Sequence, residues 1–275
     1  LSPILKKIQS LSLPINQHLE LIISLLSENQ NLILQAEPGA GKTTLVPLAL
    51  LDIIPQNKKI ILLEPRRLAA RGAAMRMAEI LGQPVAKTVG YRIKNETKIS
   101  SSTRVEVITE CILTRMLQSD PELESVAMII FDEFHERSLD ADLGLALALE
   151  VQQNLRDDLK LVIMSATLNT SKLERILVDT PLVNVAGRCF PVSMNYLPAK
   201  NNQDWSLVLI NALNLASKAT KNDILVFLPG MAEINKATHL LKQWLEKESQ
   251  FVILPLHGDL VLDQQLLAMK PIPSK

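Results

Sequence analysis

The octet Ala36-Glu37-Pro38-Gly39-Ala40-Gly41-Lys42-Thr43 decides the fold. The apolar run Leu32-Ile33-Leu34 before it reads as a buried strand, and residues 44–51 after it, Thr-Leu-Val-Pro-Leu-Ala-Leu-Leu, read as a helix. A strand, a glycine-bearing loop ending in Gly-Lys-Thr, and a helix form the setting of a phosphate-binding loop. There, successive backbone N–H groups and the positive end of a helix converge on an anion. Gly39 and Gly41 allow the positive φ that brings backbone close to phosphate. In this reading Gly39, Ala40, Gly41, Lys42, Thr43 and Thr44 cradle a nucleotide such as ATP. Lys42 reaches its β- and γ-phosphates and the Thr43 hydroxyl holds Mg²⁺. Ala36 stands where the motif usually has its first glycine. The plain alternative is a strand–turn–helix with an incidental Gly-Lys-Thr.

A second segment supports the first reading. Val126-Ala127-Met128-Ile129-Ile130-Phe131 reads as another buried strand and ends in Asp132-Glu133-Phe134-His135. In open α/β sheets, ligands lie beyond the carboxyl ends of the strands, so two carboxylates there suit a nucleotide site. Asp132 would hold Mg²⁺, and Glu133 would orient and deprotonate an attacking water. The expected metal set is therefore Thr43, Asp132 and Glu133, and the expected catalytic set is Lys42, Asp132 and Glu133. A third apolar run, 159–164, ends in Ser165-Ala166-Thr167. An acidic pair after a strand is usually a solvated turn; its position behind a phosphate loop and ahead of Ser-Ala-Thr gives it weight.

With 275 residues, 47% of them hydrophobic, the chain can bury a large core in one or two domains. Its 29 Lys/Arg and 29 Asp/Glu cancel, so net charge points to no partner. The distribution is uneven. Residues 58–98 hold ten Lys/Arg against three Glu, and residues 120–158 hold two Arg against eleven acids. The basic stretch can track a phosphate backbone or be a solvated face. Cys111 and Cys189 lack metal-ligand spacing and a disulfide pattern, so buried free thiols in a reducing compartment are expected. No run approaches the ~18–20 apolar residues of a membrane span, and the amino end carries no export signal. A cytoplasmic, membrane-free protein is expected.

Residues 1–30 carry two helical patterns split by Pro14. Strands at 32–34, 60–63, 105–108, 126–131 and 159–164 then alternate with helices from 44, from about 66, over 110–118 and over 140–153. This alternation predicts a parallel sheet covered on both faces. The pattern breaks at Gly187-Arg188-Cys189-Phe190-Pro191 and restarts with strands at 192–197, 224–228 and 251–256 and helices at 205–219, 232–247 and from 263. The expected domains are 1–190 and 191–275.

Further stretches carry a resemblance: Glu64-Pro65-Arg66-Arg67-Leu68-Ala69-Ala70-Arg71, Val89-Gly90-Tyr91-Arg92, Thr109-Glu110, and the run 132–139, Asp-Glu-Phe-His-Glu-Arg-Ser-Leu. With them go residues 155–160, Met164-Ser165-Ala166-Thr167-Leu168, Phe190-Pro191-Val192, Val226-Phe227-Leu228-Pro229-Gly230, Leu256-His257-Gly258 and Gln264. Together they resemble the superfamily 2 DEAH/DExH-box helicases, most closely those of the bacterial HrpB type, across essentially the whole chain. The resemblance implies a RecA-like P-loop NTPase domain followed by an incomplete second RecA-like domain. It implies ATP hydrolysis with Mg²⁺ and 3′→5′ movement on single-stranded RNA, with DNA left open. By this likeness His135 senses the nucleotide, and Ser165 and Thr167 couple hydrolysis to domain movement. Arg76 stacks on the base with weak selectivity, and Met269 stands where an opposing aromatic is common. Arg66, Arg67, Arg92, Thr109 and Gly230 contact the nucleic-acid strand, at its backbone and not its base edges. The family's arginine fingers have no counterpart here, because residues 189–275 contain no Arg. An amino-terminal portion that is poorly active alone is the expectation. Two readings compete with the helicase: a nucleotide-dependent RNA clamp that does not unwind, and an unrelated P-loop kinase or transporter ATPase.

Overall fold

The computed structural model describes residues 2–167, 176–177, 179–187, 190–197, 204–220, 222–245 and 251–270. The chain divides into two compact units, 1–190 and 191–275.

The first unit is built on an eight-stranded sheet: β1 (Asn31–Ala36), β2 (Lys59–Glu64), β3 (Val89–Ile93), β4 (Glu96–Lys98), β5 (Val105–Thr109), β6 (Val126–Phe131), β7 (Lys160–Ser165) and β8 (Leu182–Val185). Their order across the sheet is β4-β3-β5-β2-β6-β7-β1-β8. Every pairing is parallel except the β3–β4 hairpin. The strands read as continuous apolar runs because both faces are covered. Side chains alternate between those faces. Leu32, Leu34, Ile60, Leu62, Met128 and Ile130 enter one core, which is shared with α1 (Pro3–Gln9), α2 (Leu19–Glu28), α3 (Lys42–Ala49) and α4 (Arg67–Leu81). Ile33, Ile61, Leu63, Ile129, Phe131 and Ile163 enter the other core, with α5 (Glu110–Ser119) and α6 (Leu139–Asn154).

This is the parallel α/β sheet expected from the alternation, with three strands added at its flanks. β3 and β4 form a hairpin in which the Tyr91 hydroxyl donates to Glu96 at 2.6 Å, and β8 pairs with β1. The stretch 155–160 braces the amino edge, away from the site. Arg156 donates to the carbonyls of Glu122, Leu123 and Val126, and its ion pair with Asp158 holds that carboxyl well below the usual carboxylate range.

The second unit carries α7 (Trp205–Ala219), α8 (Met231–Leu245) and α9 (Leu262–Met269), close to the helices expected. Asp204 caps α7 by accepting from Ser206 N–H at 3.1 Å, and Lys236 lies 5.0 Å from the Trp205 ring centroid. The three strands expected at 192–197, 224–228 and 251–256 are corrected: none is a strand among the described residues. Val192, Tyr196 and Phe227 are highly exposed. β-rich sequence becomes a strand only where a second backbone completes the ladder, and none does so here.

Candidate functional site

The carboxyl edge of the sheet brings the candidate nucleotide residues together. The loop after β1 turns into α3 through Gly39 (φ 79°) and Gly41 (φ 93°). Its floor is the amino-terminal segment: Ile15 N–H donates to Ala40 C=O at 3.1 Å, and a Cβ on Gly41 would lie 2.8 Å from Leu13 Cδ1. Ala40 is fully buried. Neither Leu13 nor Ile15 belongs to a recognisable motif; only the fold brings them under the loop.

Across the edge, Lys42 Nζ donates to Glu133 Oε1 at 2.6 Å and lies 3.9 Å from Asp132 Oδ1. The Thr43 hydroxyl donates to Asp132 Oδ2, and Glu133 N–H donates to Asp132 Oδ1 at 2.8 Å. Glu133 sits in the left-handed region (φ 48°, ψ 36°), where the sharp turn after β6 re-aims its carboxylate. Such a conformation costs a non-glycine residue of order 1–3 kcal/mol and is concentrated at functional sites.

The His135 ring joins this cluster. Its Nδ1 lies 3.3 Å from Glu133 Oε2 and 3.4 Å from the N–H of Ala166, at the end of β7. A protonated Nδ1 would donate to Glu133, whereas accepting from Ala166 needs a lone pair, so the imidazole serves one partner at a time. Ser165 is fully buried, and its hydroxyl donates to Thr167 C=O at 2.8 Å. Residues expected to couple the site to movement thus sit one residue either side of an amide that touches His135.

Glu64, at the carboxyl end of β2, is a site residue that motif reading passed over. It is buried beside Asp132, and burial together with the Asp132 carboxylate pushes its carboxyl up to about 9. Burial also raises the Asp132 carboxyl, while Lys42 and the Thr43 hydroxyl pull it back. The signal available was an apolar strand, Lys59–Glu64, that ends on an acid next to Pro65-Arg66.

This donor set fits Mg²⁺. Among the described residues no three His, Cys, Asp or Glu side chains form a ready metal cage. Thr43 and Asp132 offer hard oxygen ligands, and three crowded carboxyls face one Lys42. Mg²⁺ usually takes one or two protein oxygens and completes its shell with phosphate and water.

The strand-contact candidates lie near the same edge. Arg66 precedes α4 and is mostly exposed, paired with Glu136 at 3.1 Å. Arg67 opens α4. Thr109 ends β5 and is the residue directly before α5, and its hydroxyl makes no cap bond. Arg92 Nη2 lies 2.7 Å from the buried Glu106 carboxylate, which also holds Lys59 at 3.2 Å. The basic stretch 58–98 is less free than its composition suggests. Lys58, Lys59, Arg66, Arg71, Arg76, Arg92 and Lys98 all have carboxylate partners. The exposed pairs among these, Arg66 with Glu136 and Arg76 with Glu79, are worth only ~0–1 kcal/mol, so a phosphate can replace the carboxylate there.

Other candidates stand apart. Arg76 is exposed on α4 and paired with Glu79 at 2.6 Å. Met269 is exposed on α9, and Gly230 precedes α8 in the second unit, accepting from Ile234 N–H at 3.0 Å. The expectation of buried thiols is corrected for Cys111, which is exposed because α5 turns Leu113 and Leu117 inward instead. Cys189 and Leu168 lie outside the described residues. No helix among the described residues is long and apolar enough to cross a membrane.

The chain is 46% identical over 263 residues to the ATP-dependent RNA helicase HrpB of Escherichia coli (strain K12), covering 96% of this chain and 32% of that protein. It is 34% identical to the ATP-dependent RNA helicase HrpA homolog of Haemophilus influenzae, covering 92% of this chain and 20% of the relative. It superposes on the crystal structure of Escherichia coli DEAH/RHA helicase HrpB with a TM-score of 0.86 at 46% identity, over 95% of this chain and 33% of that one. The chain therefore spans about a third of the length of its HrpB relative. Residues 16–176, more than half of the chain, match the DEAD/DEAH box helicase family, and the chain belongs to that family.

Proposed function

We propose that this chain carries the nucleotide- and strand-binding machinery of an ATP-dependent, 3′→5′ RNA helicase. The observation that carries the reading is one cluster: Lys42 and Thr43 of the loop after β1 bonded to Glu133 and Asp132 after β6. The names of the HrpB and HrpA relatives supply the RNA and the ATP.

In this reading the loop amides 39–44 and Lys42 hold the β- and γ-phosphates. Lys42 leaves Glu133 as phosphate enters, which frees that carboxylate to orient a water and take its proton. Thr43 and Asp132 would hold Mg²⁺, which would supply neutralisation of charge on the phosphates. His135 exchanges Glu133 for Ala166, passing the change to Ser165 and Thr167. Arg66, Arg67, Arg92, Thr109 and Gly230 grip the backbone of single-stranded RNA without reading sequence. Arg76 lies flat on the base, so ATP is used with weak selectivity. The second unit is part of a second RecA-like domain, and the protein works in the cytoplasm. A nucleotide-dependent RNA clamp that does not unwind would use the same residues and is the second reading.

The test is RNA-stimulated ATP hydrolysis and strand displacement by the longer protein that contains this chain, with Glu133→Gln beside it. The variant should keep ATP and RNA binding and lose turnover by about 10²–10⁴-fold, the range of a general base. Hydrolysis without displacement would select the clamp. Turnover by Glu133→Gln within threefold of the parent would remove Glu133 from its role.

A further inference from the structure

A cavity of about 560 Å³ lies between the β3–β4 hairpin and α5, away from the nucleotide cluster. One wall is Arg92, Lys94, Asn95 and Thr97 of the hairpin. The other is the outer face of α5, where Cys111, Ile112, Arg115, Met116 and Ser119 recur at helical spacing. Buried Leu113 and Leu117 anchor that helix to the core, and Asn95 (φ 68°) sets the hairpin turn. Both walls are therefore held by regular structure.

Three features define what fits. The lining holds three cations and no carboxylate. Among the described residues, Lys94 and Arg115 have no ion-pair partner, and Arg92 Nε is a buried donor with no acceptor. Half-buried Ile112 and Met116 give an apolar floor that a bare phosphate would leave uncovered. The volume falls within the ~300–1,000 Å³ of small-ligand pockets, well above the need of one phosphate. Cationic rim plus apolar floor is the complement of a phosphorylated nucleoside. Arg92 and Thr109, the latter two residues before Cys111, place a candidate strand contact at each side.

We infer that this cavity receives one nucleotide unit, its base against Ile112 and Met116 and its phosphate between Lys94 and Arg115. The inference rests on the RNA reading above, which takes Arg92 and Thr109 as strand contacts, and adds a pocket that draws one base out of the strand. A free nucleotide has the same chemistry, and the two sources are separable.

Cys111 reports on the pocket directly. In the chain carrying Cys189→Ser it is the one remaining thiol, and its alkylation by a maleimide is followed by mass spectrometry. Three probes are added: a ten-residue oligouridylate, an abasic strand of equal length, and uridine 5′-monophosphate. Strand binding is measured separately by anisotropy. Oligouridylate should slow alkylation at least about fivefold, the low end of a base-stacking contribution, with a midpoint equal to its binding constant. The abasic strand should bind but protect less than about half as well. Ile112→Trp, which fills the cavity, should abolish the difference between the two strands, and Arg115→Ala should weaken oligouridylate more than the abasic strand. Equal protection by both strands, or binding without protection, would overturn the pocket and leave the RNA reading standing. If neither strand binds, the RNA reading fails, and protection by uridine 5′-monophosphate alone then decides the pocket: slowing supports it as a free-nucleotide site, and no slowing overturns it.

Discussion

Replacing Gly41 by Ala tests whether the amino-terminal segment really forms the floor of the phosphate loop. Gly41 has φ 93°, and a Cβ there would meet Leu13 Cδ1 at 2.8 Å, Ile15 Cγ2 at 3.2 Å and Leu13 Cβ at 3.3 Å. Gly39 has a similar φ of 79° with nothing within 4 Å of its would-be Cβ. The two substitutions share one cost and differ in the other. A left-handed conformation costs an L-residue about 1–2 kcal/mol, so Gly39→Ala should destabilise by that amount. Gly41→Ala adds overpacking of about 1–3 kcal/mol, for a total of about 2–5 kcal/mol. Truncating Leu13 removes the closest clashing atom, Cδ1, and leaves Leu13 Cβ and Ile15 Cγ2 in place. In a double-mutant cycle, Leu13→Ala and Gly41→Ala should therefore show a compensating coupling of about 1 kcal/mol or more, part of the overpacking cost, whereas Leu13→Ala and Gly39→Ala should be additive. Urea unfolding followed by circular dichroism at 222 nm supplies all the free energies, and nucleotide affinity measured alongside should fall in parallel for Gly41→Ala. Equal costs at Gly39 and Gly41, or an additive Leu13/Gly41 pair, would refute the packing of residues 13–15 against the loop.

Lys42→Ala removes the cation that faces both Asp132 and Glu133. A lost hydrogen bond to a charged group is worth about 1.5–3 kcal/mol, so ATP affinity by calorimetry should fall about 10- to 150-fold; unchanged affinity would sink the phosphate-loop assignment. Glu64 has a folded-state pKa raised to about 9 from 4.5, so between those values the native state keeps a proton that the unfolded chain releases, and metal-free stability falls as pH rises. Glu64→Gln abolishes that titration, and with chelator present its advantage in melting temperature over the parent should grow from pH 5 to 9; parallel curves would contradict it. Arg66→Ala with Arg67→Ala should weaken RNA similarly for unrelated sequences and lower the log–log salt slope by about 0.7 per lost phosphate contact; a sequence-selective loss at constant slope would contradict a backbone role.

Much of this protein is local in its sequence. The octet 36–43, the all-apolar run 126–131 and its Asp132-Glu133 each announce their conformation through residue type and spacing, because a doubly covered parallel strand is apolar throughout and a phosphate loop needs glycine, lysine and a hydroxyl in order. The helix at 205–219 was equally legible, with Asp204 as its cap. Other elements exist only through partners distant in sequence. Glu96–Lys98 is a polar triplet that becomes a strand by pairing back onto β3, and Leu182–Val185, with alternate residues exposed, becomes one by pairing with β1. The segments at 192–197, 224–228 and 251–256 show the converse: strand-like composition without a ladder partner remains coil. The site divides the same way. Residue type nominated Lys42, Thr43, Asp132 and Glu133, whose chemistry is intrinsic to their side chains. Tertiary structure decided that Glu64 crowds Asp132, that Leu13 and Ile15 underlie Gly41, that most of the basic stretch is paired, and that Lys94 and Arg115 face one cavity. These are facts of proximity between segments tens of residues apart. Burial, electrostatic coupling and packing depend on through-space distance, which a linear pattern does not encode.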